Sequence, residues 1–252
     1  EPGLMSQTNL LEARVVLVAG AAGGLGAAAA VACAQAGATV ILLGRKVAPL
    51  NRVYDAVKAV GPEPLLYPLD LQGAAPDDYD QLAQQIESEL GRLDGVLHCA
   101  AEFKGLTPLL HTDPADFARA IHVDLTARWW LTQACLPLLA KSDAGAVVFA
   151  IDDLARGDSS AGTNGAFWGG YGLAQSAQET LVSMLQAELG VHGPRISGLR
   201  PDGLHATQNA LVKVHPEAER PVQPVDDGQE GIGGVPPLLL ADEPTGNLDT
   251  RT

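Results

Sequence analysis

The chain reads as an α/β protein with a doubly wound parallel sheet in a single domain. Three observations carry that reading. Short apolar, β-branched runs alternate with longer helix-compatible stretches, the pattern of a parallel sheet covered on both faces. The first apolar run, Val15 to Ala19, leads straight into a glycine-rich turn, Gly20 to Gly26. An alanine-rich stretch without breakers, Ala27 to Ala36, follows and is closed by Gly37. A strand, a glycine turn and a helix start, in that order, form the phosphate-binding corner of a Rossmann-type fold. Glycines let backbone N–H groups approach a phosphate closely, and the helix N-terminus adds partial positive charge.

The later elements follow by the same rules. Thr39 to Leu43 is a second β-branched strand ending at Gly44-Arg45-Lys46. In a dinucleotide fold this strand end faces the adenosine ribose, where an acid suits NAD and a base suits the extra phosphate of NADP. Arg45 therefore favours NADP over NAD. Leu50 to Val60 reads as a helix closed by Gly61-Pro62, with Tyr54 and Lys58 one turn apart as surface chemistry. Leu65 to Leu69 is a third strand, followed by Asp70-Leu71. Asp77 to Leu90 is a helix, and Gly95 to Ala100 a fourth strand.

Asp113 caps the next helix with Pro114 at its first position. That helix is expected to run unbroken from about Ala115 to Leu136. Trp129 and Trp130 are adjacent and cannot share a face, so one faces the core. Ala118, Leu125, Trp129 and Thr132 form a candidate stripe for subunit contact. Gly145 to Ile151 is a fifth strand, then Asp152-Asp153; 158 to 170 reads as a loop. Tyr171 to Leu189 is a long helix, and Ile196 to Leu199 a sixth strand before Arg200-Pro201-Asp202. Residues 1–9 read as a leader, 10–252 as the domain, and about 208–234 as a mobile loop on the substrate side.

Composition narrows the class. Hydrophobic residues make up 46% of 252, enough for a large core. Thirty acidic and 16 basic residues leave a net charge of −14, which argues against nucleic acid or an anionic membrane as partner. The three cysteines, Cys33, Cys99 and Cys135, are scattered without metal-ligand spacing, so no metal and no disulfide framework is expected. A cytoplasmic protein fits this cysteine usage. Leu238 to Asp249 is similar to the Walker B stretch of an ABC-type ATPase, but no Gly-x-x-x-x-Gly-Lys loop accompanies it, so ATP hydrolysis is rejected.

From about residue 10 to 207 the sequence resembles the short-chain dehydrogenase/reductase family. Its Thr-Gly-x-x-x-Gly-x-Gly motif stands here as Ala19-Gly20-Ala21-Ala22-Gly23-Gly24-Leu25-Gly26. Its Asn-Asn-Ala-Gly motif stands as His98-Cys99-Ala100-Ala101, and its Pro-Gly motif as Pro201-Asp202. The resemblance implies cofactor contacts at Gly20, Gly24, Leu25, Gly26, Arg45, Asp70, Leu71, Ala100, Pro201 and Thr207. It also implies a homo-oligomer.

The family's catalytic Ser, Tyr, Lys and Asn map onto Asp152, Tyr171, Gln175 and Asp124. Only the tyrosine is kept. Gln175 brings no cation to stabilise a tyrosinate. Asp152, when ionised, accepts hydrogen bonds and donates none. Carboxylates beside Tyr171 raise its pKa, the opposite of what a base needs. Three readings stay open. The chain is an NADP(H)-binding protein that has lost carbonyl chemistry and works by binding. It is instead an active NADP-dependent oxidoreductase of a small carbonyl or alcohol, using Tyr171 with substitute groups, Ser159 or Ser160 among them. Or it is a scaffold without cofactor.

Overall fold

A computed structural model describes residues 10–156 and 165–201. Six parallel strands form one sheet in the order β3-β2-β1-β4-β5-β6. They are β1 (Val15–Ala19), β2 (Thr39–Gly44), β3 (Leu65–Pro68), β4 (Gly95–His98), β5 (Ala146–Ala150) and β6 (Arg195–Leu199). The helices are α1 (Gly24–Gln35), α2 (Val47–Lys58), α3 (Pro76–Leu90), α4 (Pro114–Ile121), α5 (Ala127–Leu139), α6 (Asp153–Arg156) and α7 (Gly169–Leu189). β1 pairs with β2 on one side and β4 on the other, with Ala19 level with both Leu43 and His98. Strand order reverses between β1 and β4, so a crevice opens at their carboxyl ends, where ligands of open α/β sheets bind.

The strands are apolar on both faces because both are covered. Leu17, Leu43, Val96 and Phe149 face α3, α5 and α7, and Val16, Val18, Val40 and Leu42 face α1 and α2. Each predicted strand is present, with ends shifted by a residue or two. Helix α1 begins three residues earlier than read, because the glycine turn itself winds into the helix. Trp130 packs on Tyr79 with ring centroids 6.3 Å apart, while Trp129 is 41% exposed.

Two local features depart from the sequence reading. The expected single helix over 115–136 is interrupted by a π-helical turn, His122–Thr126, joining α4 to α5. The wider turn rotates the side chains beyond it, so Thr132 is fully buried and leaves the proposed surface stripe. Its hydroxyl lies 2.8 Å from His98 Nε2 instead. The second is the short helix α6. Asp152 Oδ1 accepts from the N–H groups of Leu154 (3.1 Å) and Ala155 (3.3 Å), the geometry of an N-cap. The Walker-like stretch, the 208–234 loop, Ser159, Ser160, Thr207 and the leader lie outside the described residues.

At the amino ends of the strands, buried Asp94 ties β4 to β1 and to the turn before β5. Its carboxylate accepts from Val15 N (2.8 Å), Ser142 Oγ (2.6 Å), Arg14 (3.1 Å) and both Nε and Nη2 of Arg92. Burial pulls its pKa upward, but these donors outweigh burial and hold the carboxyl well below the usual range. Asp94→Ala is expected to cost about 3 kcal/mol, since it leaves the Val15 N–H without a partner. A folded-state pKa below the unfolded value stabilises the protein above the unfolded value. That contribution is lost as pH falls below about 4. Urea midpoints of wild type and variant at pH 7 and pH 3 check this; the difference shrinks at pH 3.

Candidate active site

The crevice between the carboxyl ends of β1 and β4 holds a cavity of about 340 Å³. Gly20, Gly24, Leu25, Arg45, Asp70, Leu71 and Ala100 all line it. Gly20 sits at φ +84°, and a Cβ there would lie 2.3 Å from Ala100 N, so only glycine lets the turn meet the end of β4. Gly26 does not line the cavity. Its Cβ would lie 2.1 Å from Gly20 O, which makes it the glycine that packs helix against turn. Pro201 closes the described part of the chain after β6 and is not among the lining residues.

The residues present fit a dinucleotide. Gly23 at the N-cap of α1 makes no side-chain cap, and the first turn carries no acid. The first-turn N–H groups therefore keep their capacity for an anion. Arg45 lines the far end, beyond β2. Asp70 Oδ1 accepts from Gln72 N at 3.1 Å, which shapes the turn after β3. Cys99 also lines the cavity, and burial pushes its thiol up to about 11.

At the other end stands Tyr171, 3% exposed. The Gly-Gly-Tyr-Gly run places it. A Cβ at Gly170 would lie 2.6 Å from Phe117 O, and one at Gly172 2.5 Å from Ala155 O, so α7 packs tightly on α4 and α6. The Tyr171 hydroxyl donates to Asp152 Oδ2 at 3.1 Å. Gln175, one turn on, accepts from Asp152 N at 3.0 Å through Oε1. Its buried Nε2 has no partner. Tyr171, Asp152 and Gln175 thus come together as their order along the fold implies.

The electrostatics differ in detail from the sequence reading. The Tyr171 pKa is raised far above that of a free tyrosine, chiefly by burial, then by the charges of Asp152 and Asp124. The sequence reading named the charges and missed the larger cause. Asp124, in the π turn, accepts from Glu102 N at 2.8 Å through Oδ1, and its buried Oδ2 has no partner. Burial pushes its carboxyl up to about 8, against the pull of Arg128. Burial thus favours its protonated form and weakens the second negative charge expected from sequence.

Arg128 is the residue that sequence reading missed. It is 2% exposed, and its guanidinium spans the ends of two strands. Nη1 donates to Ala150 O at 2.9 Å and to Gln178 Oε1, and Nη2 donates to Ala100 O. It lines the cavity beside Tyr171 and is the cation closest in role to the missing lysine. An arginine between alanine and tryptophan on a helix carries no local sign that it points inward.

Tyr171 also lines a second cavity of about 210 Å³, together with Phe103 and Trp168. Among the described residues, no group of three or more His, Cys, Asp or Glu side chains could hold a metal. Among the same residues, no helix is long and apolar enough to cross a membrane.

Comparison with known proteins places these features. The family model described as short chain dehydrogenase matches residues 14–216. The chain is 37% identical over 204 residues to the uncharacterized oxidoreductase YciK of Escherichia coli strain K12, covering 80% of this chain and 78% of that protein. A short chain dehydrogenase from Escherichia coli CFT073, solved as a complex with NADPH, superimposes with a TM-score of 0.74 at 36% identity, over 84% of this chain and 87% of that one. A short chain dehydrogenase from Shigella flexneri, complexed with NADP, gives 0.71 at 36% identity, over 77% and 79%.

Proposed function

The chain belongs to the short-chain dehydrogenase family, and from that premise we propose that it binds NADP(H) in the crevice between β1 and β4 while lacking the family's ordinary carbonyl reduction. The hydroxyl of Tyr171 carries the second half of the proposal. In carbonyl reduction the tyrosine donates its proton to the carbonyl oxygen, and a neighbouring cation helps it do so. Here that proton is engaged by Asp152 at 3.1 Å, and the residue one turn on is Gln175. Cofactor binding is supported by the uncapped start of α1, by Arg45 at the end of β2, and by similar proteins solved with NADP and NADPH. When bound, the nicotinamide supplies or accepts a hydride. Gly20, Gly24, Leu25, Arg45, Asp70, Leu71 and Ala100 would hold the dinucleotide, Gly26 would set the turn, and Pro201 and Thr207 would follow on the nicotinamide side.

Titration calorimetry tests the cofactor reading. NADPH is expected to bind more tightly than NADH. Gly24→Val should weaken NADPH by at least tenfold, about 1.4 kcal/mol, while far-UV circular dichroism stays unchanged. Arg45→Asp should move the preference toward NADH. Absence of binding by either nucleotide would leave the scaffold reading.

A second reading, an active NADP-dependent oxidoreductase using Tyr171 with substitute groups, is favoured by one observation: buried Arg128 places a cation at this end of the cavity. We also propose a homo-oligomer in a reducing, cytoplasmic setting. Half-exposed Trp129 on α5 and Leu173 on α7 supply apolar surface for the contact. Light scattering should give a multiple of the 26.1 kDa chain mass, and Trp129→Glu should reduce it.

A further inference from the structure

We propose that the second cavity, beside Tyr171, binds the aromatic ring of a small ligand against a wall formed by Phe103, Trp168 and Phe167. This ligand class deepens the proposed function. It rests on the cofactor reading only in treating the cavity as the substrate side.

Tyr171 and Glu102 line both cavities, so the second begins where the nucleotide crevice ends. A ligand there lies next to the crevice without taking its place. The volume of about 210 Å³ is room for one small ring system.

The wall is aromatic in a chain that is poor in aromatic residues. Three of the four phenylalanines, Phe103, Phe117 and Phe167, line this one cavity, together with Trp168 and Tyr171. Phe103 stacks on Trp168 with ring centroids 5.1 Å apart and lies 5.0 Å from the Tyr171 ring. Ring pairs of this kind gain more than burial of their area supplies. The carboxylates of the lining are engaged within the protein: Glu102 with Lys104 at 3.2 Å, Asp116 with Arg119, and Asp113 with the Ala115 N–H at 2.7 Å. Recognition is therefore left largely to the ring faces.

Phe167 points the same way independently. Its φ is +71°, in the left-handed region where a bulky side chain is strained. Gly165 and Gly169, two residues to either side, also stand at positive φ, yet the position between them is phenylalanine. Burial does not offset the strain, because the residue is 39% exposed. Thr107 N donates to Phe167 O at 2.9 Å, a bond that uses the backbone alone and that glycine would keep. A strained aromatic residue held at a cavity wall fits a ligand clamp.

A preference for aromatic rings separates such a wall from a merely apolar one. By area alone a saturated ring is the stronger ligand, since it carries more apolar surface than a benzene ring. Stacking reverses that order.

Ligand-observed NMR titration of the full chain compares benzyl alcohol with cyclohexylmethanol, neutral probes that differ only in the ring. Benzyl alcohol is expected to bind at least fivefold more tightly. Equal or tighter binding of cyclohexylmethanol to wild type would overturn the proposal, and that comparison needs no variant to fold. Phe103→Leu should bring the two probes within twofold of each other; a preference that survives in the folded variant would overturn it too. Phe167→Gly should weaken benzyl alcohol at least threefold and leave the urea midpoint nearly unchanged, as relieved strain offsets the lost contacts. Undiminished binding in that variant would assign Phe167 to packing and defeat the clamp. Benzyl alcohol should bind equally well with NADPH present, whereas mutual displacement would put the ring in the crevice and count against the second cavity. Absence of NADPH binding, with the ring preference intact, would strike only the cofactor reading.

Discussion

Arg128→Leu is expected to lower the unfolding free energy by about 3 kcal/mol, about 1 kcal/mol for each acceptor that loses its donor. The guanidinium is donor to Ala100 O, Ala150 O and Gln178 Oε1, and leucine supplies none of these bonds. Three acceptors at the cavity wall would be left without their donor. Arg128→Lys should recover little, because an ammonium cannot span two strand ends as a planar fork does. The urea midpoint at constant slope reads the effect. Unchanged stability in Arg128→Leu would mean that water reaches these carbonyls.

Asp124 adds a pH signature to the same network. Its carboxyl, pushed up to about 8, is above its unfolded value of about 3.9. The folded protein then holds a proton that the unfolded chain releases. The stabilisation is fully present below about pH 4 and is lost as pH rises toward 8, with a slope of at most about 1.4 kcal/mol per pH unit. Asp124→Asn should flatten that slope between pH 5 and 8.

How much of this was legible follows from how local each signal is. The strand, turn and helix start at Val15 to Gly26 lie within twelve residues, and both pattern and glycines are visible in order. The strand sequence fixes topology in a doubly wound sheet, so Tyr171 could be placed near Asp152 before any coordinate. Asp152 as an N-cap was also written locally, in Asp-Asp before Leu-Ala-Arg, and was overlooked beside its catalytic alignment. The π turn was not legible: His122 to Thr126 contains no proline or glycine to mark it. That turn decides which way α5 faces, and so sends Thr132 inward. Arg128 was hidden for a related reason. Its burial depends on carbonyls 22 and 28 positions away, and an arginine on a helix is ordinarily solvated.

Restoring carbonyl reduction is expected to require four changes made together, Asp152→Ser, Gln175→Lys, Asp124→Asn and Arg128→Thr. Serine at 152 can still cap α6 and gives the carbonyl a donor. Lysine at 175 gives Tyr171 its cation, although Asp152 N then loses the acceptor that Gln175 Oε1 provides. With only those two changes the new ammonium would share a buried site with Arg128, and like charges there oppose each other. Arg128→Thr removes that conflict. Asp124→Asn then restores a neutral polar group in place of a carboxylate that raises the Tyr171 pKa. The quadruple variant should oxidise NADPH with small aldehydes at least 100-fold faster than wild type, within the range of about 10²–10⁴ for a placed acid–base group. The double variant should gain little, since groups that act as a unit are not additive. Circular dichroism and NADPH titration must first show a folded, cofactor-binding quadruple variant. Such a variant with no gain would mean that the pocket does not admit a carbonyl to Tyr171. Brisk wild-type turnover that disappears in Tyr171→Phe would instead establish the active oxidoreductase, with Arg128 as its cation.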